Sequence, residues 1–439
     1  MPALVVASSQ QNMPSRGVHR AGQPGLTTLL ALGTWALATA SWSTTPPPPA
    51  AGTLRVASYN VSLYRSTAGE LGRELAQGSA QARAIATVIQ RARPDLLLIN
   101  EFDFDPEAAR TFQTRYLEQA QPMGGEPIAY PYHFIAPSNT GVPSGIDLDR
   151  NGEIAGGNDA LGFGLFPGQY GMLVLSRLPI EQPKIRSFRR FLWRDMPNNL
   201  IPPDWYSPEA LAILPLSSKS HWDIPVILPG DHGLLHLLAS HPTPPGFDGP
   251  EDRNGRRNHD EIRLWADYIS GPSRAGYLVD DAGQRGGLPA DALFMIAGDL
   301  NADPADGGSR PGAIAQLLNH PRIHSDAAQG SLAPRSRGAL DAARRQGGAN
   351  ASHQGDPALD TADFSEGARG VGNLRVDYVL PSNNVTVCRS GVFWPRADEP
   401  EFTLVNDDVK ASSDHRLVWV DIALPDTPCP ATDTTQPKN

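Results

Sequence analysis

The stretch IAGDLNADPAD (residues 296–306) decides the fold, because an apolar run over residues 292–297 ends abruptly on Asp299 and Asn301. An apolar strand without polar alternation is covered on both faces, so the polar residues after it emerge at the rim of a sheet, where clefts form. Outward from this point the chain repeats the pattern. LRVASYNV (54–61), DLLLINEF (95–102), GMLVLSRLPI (171–180), LLHLLASHP (234–242), RVDYVLPS (375–382) and LVWVDIAL (417–424) are short apolar strands between helical or Gly/Pro-rich segments. Several end on residues with chemical use, namely Asn60, Glu101, His241 and Asp377, while Asp414 and His415 stand just before the last strand. One polar strand end is cheap, since loops are polar. A series of them at equivalent positions implies a common edge.

Helices fit between these strands. Residues 79–95 carry a Ser cap, a repeating apolar face and a Pro stop, and residues 258–270 begin with Asn and two acids, as a helix N-terminus does. The expected organisation is one α/β domain over residues 53–424, with long insertions at 136–170 and 185–230. A polar, Thr/Pro-rich tail, 425–439, is expected to be disordered except near Cys429.

The formal charge of the 439 residues is −10, and residues 1–40 hold Arg16 and Arg20 but no acid, which leaves the remainder at −12. That balance argues against a protein that grips nucleic acid mainly through phosphate contacts. Residues 1–40 read as a signal peptide: the two arginines precede LTTLLALGTWALA (26–38), and ATA (38–40) offers small residues for cleavage. The apolar run is short for a membrane span, an uncleaved anchor being the alternative, and Met13 is an alternative start. A secreted or periplasmic location follows, without stable membrane insertion after cleavage. Residues 41–52, with four consecutive prolines, read as a stiff linker. Cys388 and Cys429 are too few for a disulfide scaffold or a zinc site, and in an exported chain one bridge tying the tail to the domain is expected.

The polar ends supply particular chemistry. Glu101, Asn60, Asp299, Asn301 and Asp414 are hard oxygen donors, suited to Mg²⁺, Mn²⁺ or Ca²⁺. His241 and His415 can donate to phosphoryl oxygens or exchange a proton with water, and an acid such as Asp377 beside an imidazole fixes its tautomer and raises its basicity. Metal, imidazoles and amides around one rim suit attack of water on a phosphoester.

ASYNV (57–61), INEF (99–102), ASHPTPP (239–245), AGDLNADP (297–304), RVDYVL (375–380) and SSDHRLV (412–418) resemble, in order, the motifs of the endonuclease/exonuclease/phosphatase superfamily, the DNase I-like group. The resemblance implies an exported bacterial-type member with a four-layer α/β sandwich, two facing mixed β-sheets flanked by helices. It implies Glu101 as principal metal ligand, helped by Asn60 and Asp414, with Mg²⁺ or Mn²⁺ as the ion. His241 would bind a phosphate oxygen, Asp299 and Asn301 would orient or deprotonate the attacking water, and Asp377 would pair with His415. Whether Asp299 or His415 takes the proton stays open at this point. Ser62 stands where some relatives carry a metal-binding acid, so one ion is expected.

Outside the shared motifs, GIDLDRNGEIAGGND (145–159) places Asp147, Asp149, Asn151 and Glu153 at the spacing of a calcium loop, but position twelve is Asn158 and no flanking helices are evident. Lys219, His221, Arg253, Arg256 and Arg257 would line one side of the cleft and hold the remote part of an anionic substrate, with solvated loop charges as the alternative. Tyr170 is a further substrate contact by its resemblance to the phosphate-side segment of the family. The expected activity is that of a divalent-metal-dependent phosphoesterase acting on diesters or monoesters. The alternatives are a secreted non-specific nuclease, for which nucleic acid is substrate only, and a catalytically silent binding protein on the same scaffold. A monomer is expected.

Overall fold

A computed structural model of the chain describes residues 46–367, 369–406, 411–425 and 427–430, so residues 1–40, expected to be a signal peptide, and the tail beyond 430 lie outside the described residues. The strands, in chain order, are β1 (Thr53–Leu63), β2 (Leu96–Phe102), β3 (Tyr132–Ile135), β4 (Met172–Ser176), β5 (Arg186–Ser187), β6 (His221–Ile227) and β7 (Leu234–Ser240). They continue with β8 (Leu293–Asp299), β9 (Ala362–Asp363), β10 (Asn373–Leu374), β11 (Asp377–Pro381), β12 (Val387–Val392) and β13 (Val418–Ala423). One sheet has the order β12-β13-β1-β2-β4-β3 and the other β11-β8-β7-β6-β5, with β9 and β10 as a separate pair. Each large sheet is mixed: β1 runs parallel to β2, and β7 parallel to β8.

Strand periodicity shows why the layers form. Met295 and Ala297 of β8 point into a core shared with Val56, Leu98 and Val174 of the other sheet, whereas Phe294 and Ile296 pack with Ile262, Trp265 and Ile269 of the helix Arg253–Ile269. Both faces of β8 are therefore buried, which is why its sequence shows no alternation. The helix Ala80–Ala92 covers the first sheet through Ile85 and Ile89 and is capped as expected, Ser79 Oγ accepting from the Ala82 amide at 3.2 Å. Helix, sheet, sheet and helix make the four-layer DNase I-like sandwich.

Four expectations change. The helix expected from 258 begins about a turn earlier, at Arg253, and Asn258 is an interior residue rather than a cap. The insertion at 185–230 contains β6, which pairs with β7 from His221 to Ile227, so its last part belongs to the sheet. Asp377 begins its strand instead of ending one, because β11 is antiparallel to β8. The described prolines of the linker lie against the domain, where Pro47 and Pro48 carbonyls accept from Arg55 and Arg389. Cys388 and Cys429 form a disulfide, tying β12 to the tail. Among the described residues no helix is long and apolar enough to cross a membrane.

Candidate active site

Strand direction and register collect the polar ends at one rim. Asn60 lies opposite Asn100 in the β1–β2 pair, and Asp377 opposite Asp299 in the β8–β11 pair. His241 follows the last residue of β7, and His415 precedes β13, which is antiparallel to β1 and so begins where β1 ends.

Asp299 Oδ2 is the meeting point. It accepts from Asn60 Nδ2 at 3.0 Å and lies 3.4 Å from His241 Nε2 and 3.7 Å from His415 Nε2. Its other oxygen accepts from the Asn301 amide at 2.9 Å, and its own amide donates to Asn100 Oδ1 at 3.1 Å. Burial alone would push the Asp299 carboxyl up, but the His415 charge and the contacts with His241 and Asn60 outweigh it and hold the group below the ordinary carboxylate range. His415 Nδ1 is 2.8 Å from Asp377 Oδ2, which also accepts from Thr361 Oγ1 at 2.9 Å. Burial opposes a charge on His415, yet Asp377 and Asp299 together raise it well above the ordinary histidine value. His415 is thus an imidazolium between two acids. His241 has the opposite fate: burial, reinforced by Lys219, pushes it down to about 4, so the ring is neutral, and its buried Nδ1 has no partner.

Glu101 stands apart from this network. Burial and the neighbouring Asp414 push it up to about 7, and no hydrogen bond offsets them. Asp414 Oδ1 accepts from Ser62 Oγ at 2.9 Å, and Asn60 Oδ1 takes only the Ser62 amide, at 3.2 Å. A carboxylate short of positive charge beside a second carboxylate and an amide oxygen fits a hard divalent cation. Asp299, Asp377 and His415 also bring ligand atoms within 4.8 Å of one another. In that set Asp299 Oδ2 already accepts from Asn60, and Asp377 and Asp299 favour the charged form of His415, whereas no hydrogen bond to Glu101 competes with a cation. Ser62, Glu101, Tyr170, Phe247 and Asn301 all hold positive φ between 49° and 64°, so backbone strain gathers around the site.

Next to Glu101 opens a cavity of about 390 Å³, and Tyr170, Lys219, Arg253 and Arg257 line it. Tyr170 packs against Tyr64 with ring centroids 4.5 Å apart and planes tilted by 44°. Three expectations are corrected here. His221 does not reach the cavity: it is fully buried, bonded to Ser217 Oγ at 2.6 Å and to the Glu261 carbonyl at 2.9 Å, and packed on Trp265. Arg257 lines the wall, yet its guanidinium donates to the carbonyls of Leu161, Pro215 and Leu216, so it joins the two insertions instead of reaching out. Arg256 turns away to the Glu251 carbonyl.

The 145–159 loop gathers Asp147 and Asp149 with Asp159, within 4.8 Å, while Asn151 and Gly152 fold back through amide bonds to Asp147. Glu153 and Asn158 are not in this group, because the chain closes in a single 3-10 turn, Gly157–Asp159, where an EF-hand has a helix.

Three supporting residues escaped the sequence reading. Glu261 accepts from Ser218 and from the Thr243 amide at 2.6 Å, fixing both the Lys219 segment and the loop after His241. Asn258 Nδ2 donates to the Thr243 and Leu300 carbonyls, and Asp103 accepts from the Tyr170 amide. Asp103, between Phe102 and Phe104 at a strand end, carries the local signal of a polar residue amid apolar neighbours, whereas Asn258 and Glu261 lie in a polar run, RRNHDE, that marks neither of them.

Fold and rim together define a DNase I-like sandwich whose strand ends meet in a carboxylate–imidazole cluster. The chain belongs to the Endonuclease/Exonuclease/phosphatase family, whose model matches residues 57–415. Members of that family are generally hydrolases of phosphoesters and typically depend on divalent metal. Among solved structures, an endonuclease/exonuclease/phosphatase from Beutenbergia cavernae is 18% identical, with 85% of this chain and 72% of that one covered and a TM-score of 0.45. Sphingomyelinase C from Streptomyces griseocarneus is 17% identical over 84% of this chain and 99% of that one, TM-score 0.40. D. rerio TDP2 complexed with a single-strand DNA product is 14% identical over 84% and 98%, TM-score 0.41. These likenesses concern the fold alone. No curated protein matches the chain in sequence.

Proposed function

We propose that the chain is an exported, divalent-metal-dependent phosphoesterase that hydrolyses phosphodiesters or phosphomonoesters by direct attack of activated water. The observation that carries this reading is Asp299, ionised and shared among Asn60, His241 and His415 at one rim. Glu101, Asp414 and Asn60 would hold Mg²⁺ or Mn²⁺, which supplies positive charge for a phosphoryl oxygen. Asp299 orients the water and accepts its proton, a role His415 cannot take while it is already protonated. His415, steadied by Asp377, provides fixed positive charge against the transition state, and neutral His241 shares its Nε2 proton between Asp299 and a phosphoryl oxygen. Asn301, whose Nδ2 donates to the Pro242 carbonyl at 3.1 Å, holds the loops carrying Asp299 and His241 in register. Export is supported by the leader sequence and by the Cys388–Cys429 bridge, which needs an oxidising compartment to form and persist. The Asp147, Asp149 and Asp159 group supports a structural Ca²⁺ distinct from the catalytic ion.

The test is hydrolysis of bis-p-nitrophenyl phosphate, p-nitrophenyl phosphate, inositol phosphates and plasmid DNA with Mg²⁺, Mn²⁺ or Ca²⁺, and with EDTA. Metal-dependent turnover that EDTA abolishes and Glu101→Gln greatly weakens is expected. Turnover indifferent to EDTA removes the metal from the reading, and silence across the panel removes the phosphoesterase.

A further inference from the structure

We infer that the cavity beside Glu101 is the leaving-group pocket, and that it takes the single compact apolar or aromatic group of a small phosphoester, with Lys219 holding a non-bridging phosphoryl oxygen. The inference rests on the phosphoesterase reading and adds the substrate class to it.

Position comes first. The cavity is lined by Glu101 but by none of Asp299, Asp377 or His415, so it opens on the side of the rim away from the water-activating cluster. In-line displacement puts the departing oxygen opposite the entering water. Water's oxygen forms the new bond to phosphorus, the bond from phosphorus to the pocket's occupant breaks, and water's protons are divided between the phosphate product and the released alcohol.

The walls give the chemistry of the occupant. Leu148, Phe163, Tyr206, Leu214 and Phe247 surround a volume of about 390 Å³. That is near the lower end of small-molecule sites, roughly 300–1,000 Å³. A nucleic acid would instead need a broad basic face, about 1,000–2,500 Å² of protein surface, on a chain whose formal charge is −10. Lys219 is 6% exposed and lines this cavity; its carbonyl accepts from the Asn139 amide at 3.0 Å, but its ammonium group makes no hydrogen bond or ion pair among the described residues. Glu261, its nearest acidic influence, is already engaged by Ser218 and Thr243. Burial opposes the charge on this ammonium, a cost that an anion entering the cavity would offset. One such cation matches one phosphoryl group, not a polyphosphorylated ring. At the mouth, Phe247 is 92% exposed with φ +64° and Phe163 is 54% exposed, so a bulky side chain is held in a strained conformation where an occupant would cover it.

The experiment compares kcat/KM of the full chain for phenyl, 2-naphthyl and methyl phosphate with Mn²⁺, in the native protein, in the double variant Phe163→Ala/Phe247→Ala and in Lys219→Met. Intrinsic reactivity cancels in each variant-to-native ratio. The double variant is expected to reduce the aryl-over-methyl preference about tenfold, through KM. Lys219→Met is expected to raise KM for all three esters about tenfold while Tm holds or rises, as a merely structural lysine would not allow. An unchanged aryl preference in the double variant, or an unchanged KM in Lys219→Met, overturns the assignment. Should the native protein hydrolyse none of the esters, the phosphoesterase reading fails separately, and binding of phenylphosphonate by calorimetry then decides the pocket: weakening by Phe247→Ala keeps it and no binding to the native protein overturns it.

Discussion

The rim and the cavity wall meet at Glu101 and are built on opposite principles. Asn60, Asp299 and Asp377 hang from the ends of strands whose two faces are buried, and both carboxylate oxygens of Asp299 and its backbone amide have partners inside the protein. The wall is made by connections at 145–170 and 206–219 and by the 243–257 segment, tied together at backbone carbonyls by Arg257 and at amides by Glu261. It leaves the Lys219 ammonium without a partner among the described residues and Phe247 in the open. The rim is preorganised before substrate arrives, as transition-state stabilisation requires. The wall is completed only by its occupant, as selection requires. The contrast also revises the expectation that the basic residues together hold the remote part of an anionic substrate, since Arg257 is engaged internally and His221 and Arg256 point elsewhere.

The largest effect expected from breaking this contrast lies on the rim. Asp299→Ala and His415→Ala should each lower turnover at least about a hundredfold with circular dichroism unchanged, because proton acceptance and fixed charge each contribute in that range. Near-normal kcat/KM in both would move the chemistry off the rim altogether. The wall variants, by contrast, should act on KM and on the choice of ester.

This division also explains what could be read in the sequence. Asn60, Glu101, His241 and Asp299 were visible as polar punctuation on apolar runs, a local pattern. Asp377 was visible too, but as the end of a strand it in fact begins, because strand direction is a property of the sheet and not of the run. β6 was hidden inside an insertion, since Pro225 and the polar Asp223 break the apolar pattern of HWDIPVI; Asp223 is satisfied by His236 and Tyr268, which lie far along the chain. The same non-local bonding misplaced His221 in the cleft and concealed Glu261 and Asn258. A charged residue near a site in sequence reads as a substrate contact until the carbonyls that consume it, as with Arg257, are known.

A smaller effect separates wall from rim by pH. Burial holds His221 down at about 4, with the Glu261 carboxylate nearby working in the opposite direction. The unfolded chain therefore binds a proton at this position below about pH 6.5 that the folded chain refuses until about 4. Stability falls as pH falls through that window and is constant, as far as His221 is concerned, above it. The loss amounts to about 3 kcal/mol once both states are protonated. His221→Phe keeps the packing on Trp265, removes the titration, and should flatten urea-unfolding stability between pH 6.5 and 4 relative to the native chain. An identical pH slope in the variant would show that the wall is not anchored by a neutral His221.

The smallest expected effect belongs to the 145–159 loop, which joins the wall on its outer side: Leu148, between Asp147 and Asp149, lines the cavity and gives its carbonyl to Trp205 Nε1 at 3.1 Å. The three carboxylates of this loop are served mainly by backbone amides, and only Asp159 is buried. Extracellular calcium sites with such partial ligand sets bind at about 10⁻⁴–10⁻³ M. At 1 mM Ca²⁺ mass action then stabilises the fold by about 0.4–1.4 kcal/mol. In a domain of this size that is a rise in Tm of about 0.5–2 °C. Asp159→Asn should abolish the rise while Glu101→Gln leaves it intact, because the two ions occupy different places. A calcium shift lost in Glu101→Gln and kept in Asp159→Asn would assign calcium to the rim, and the loop would then be a turn held by its own amides.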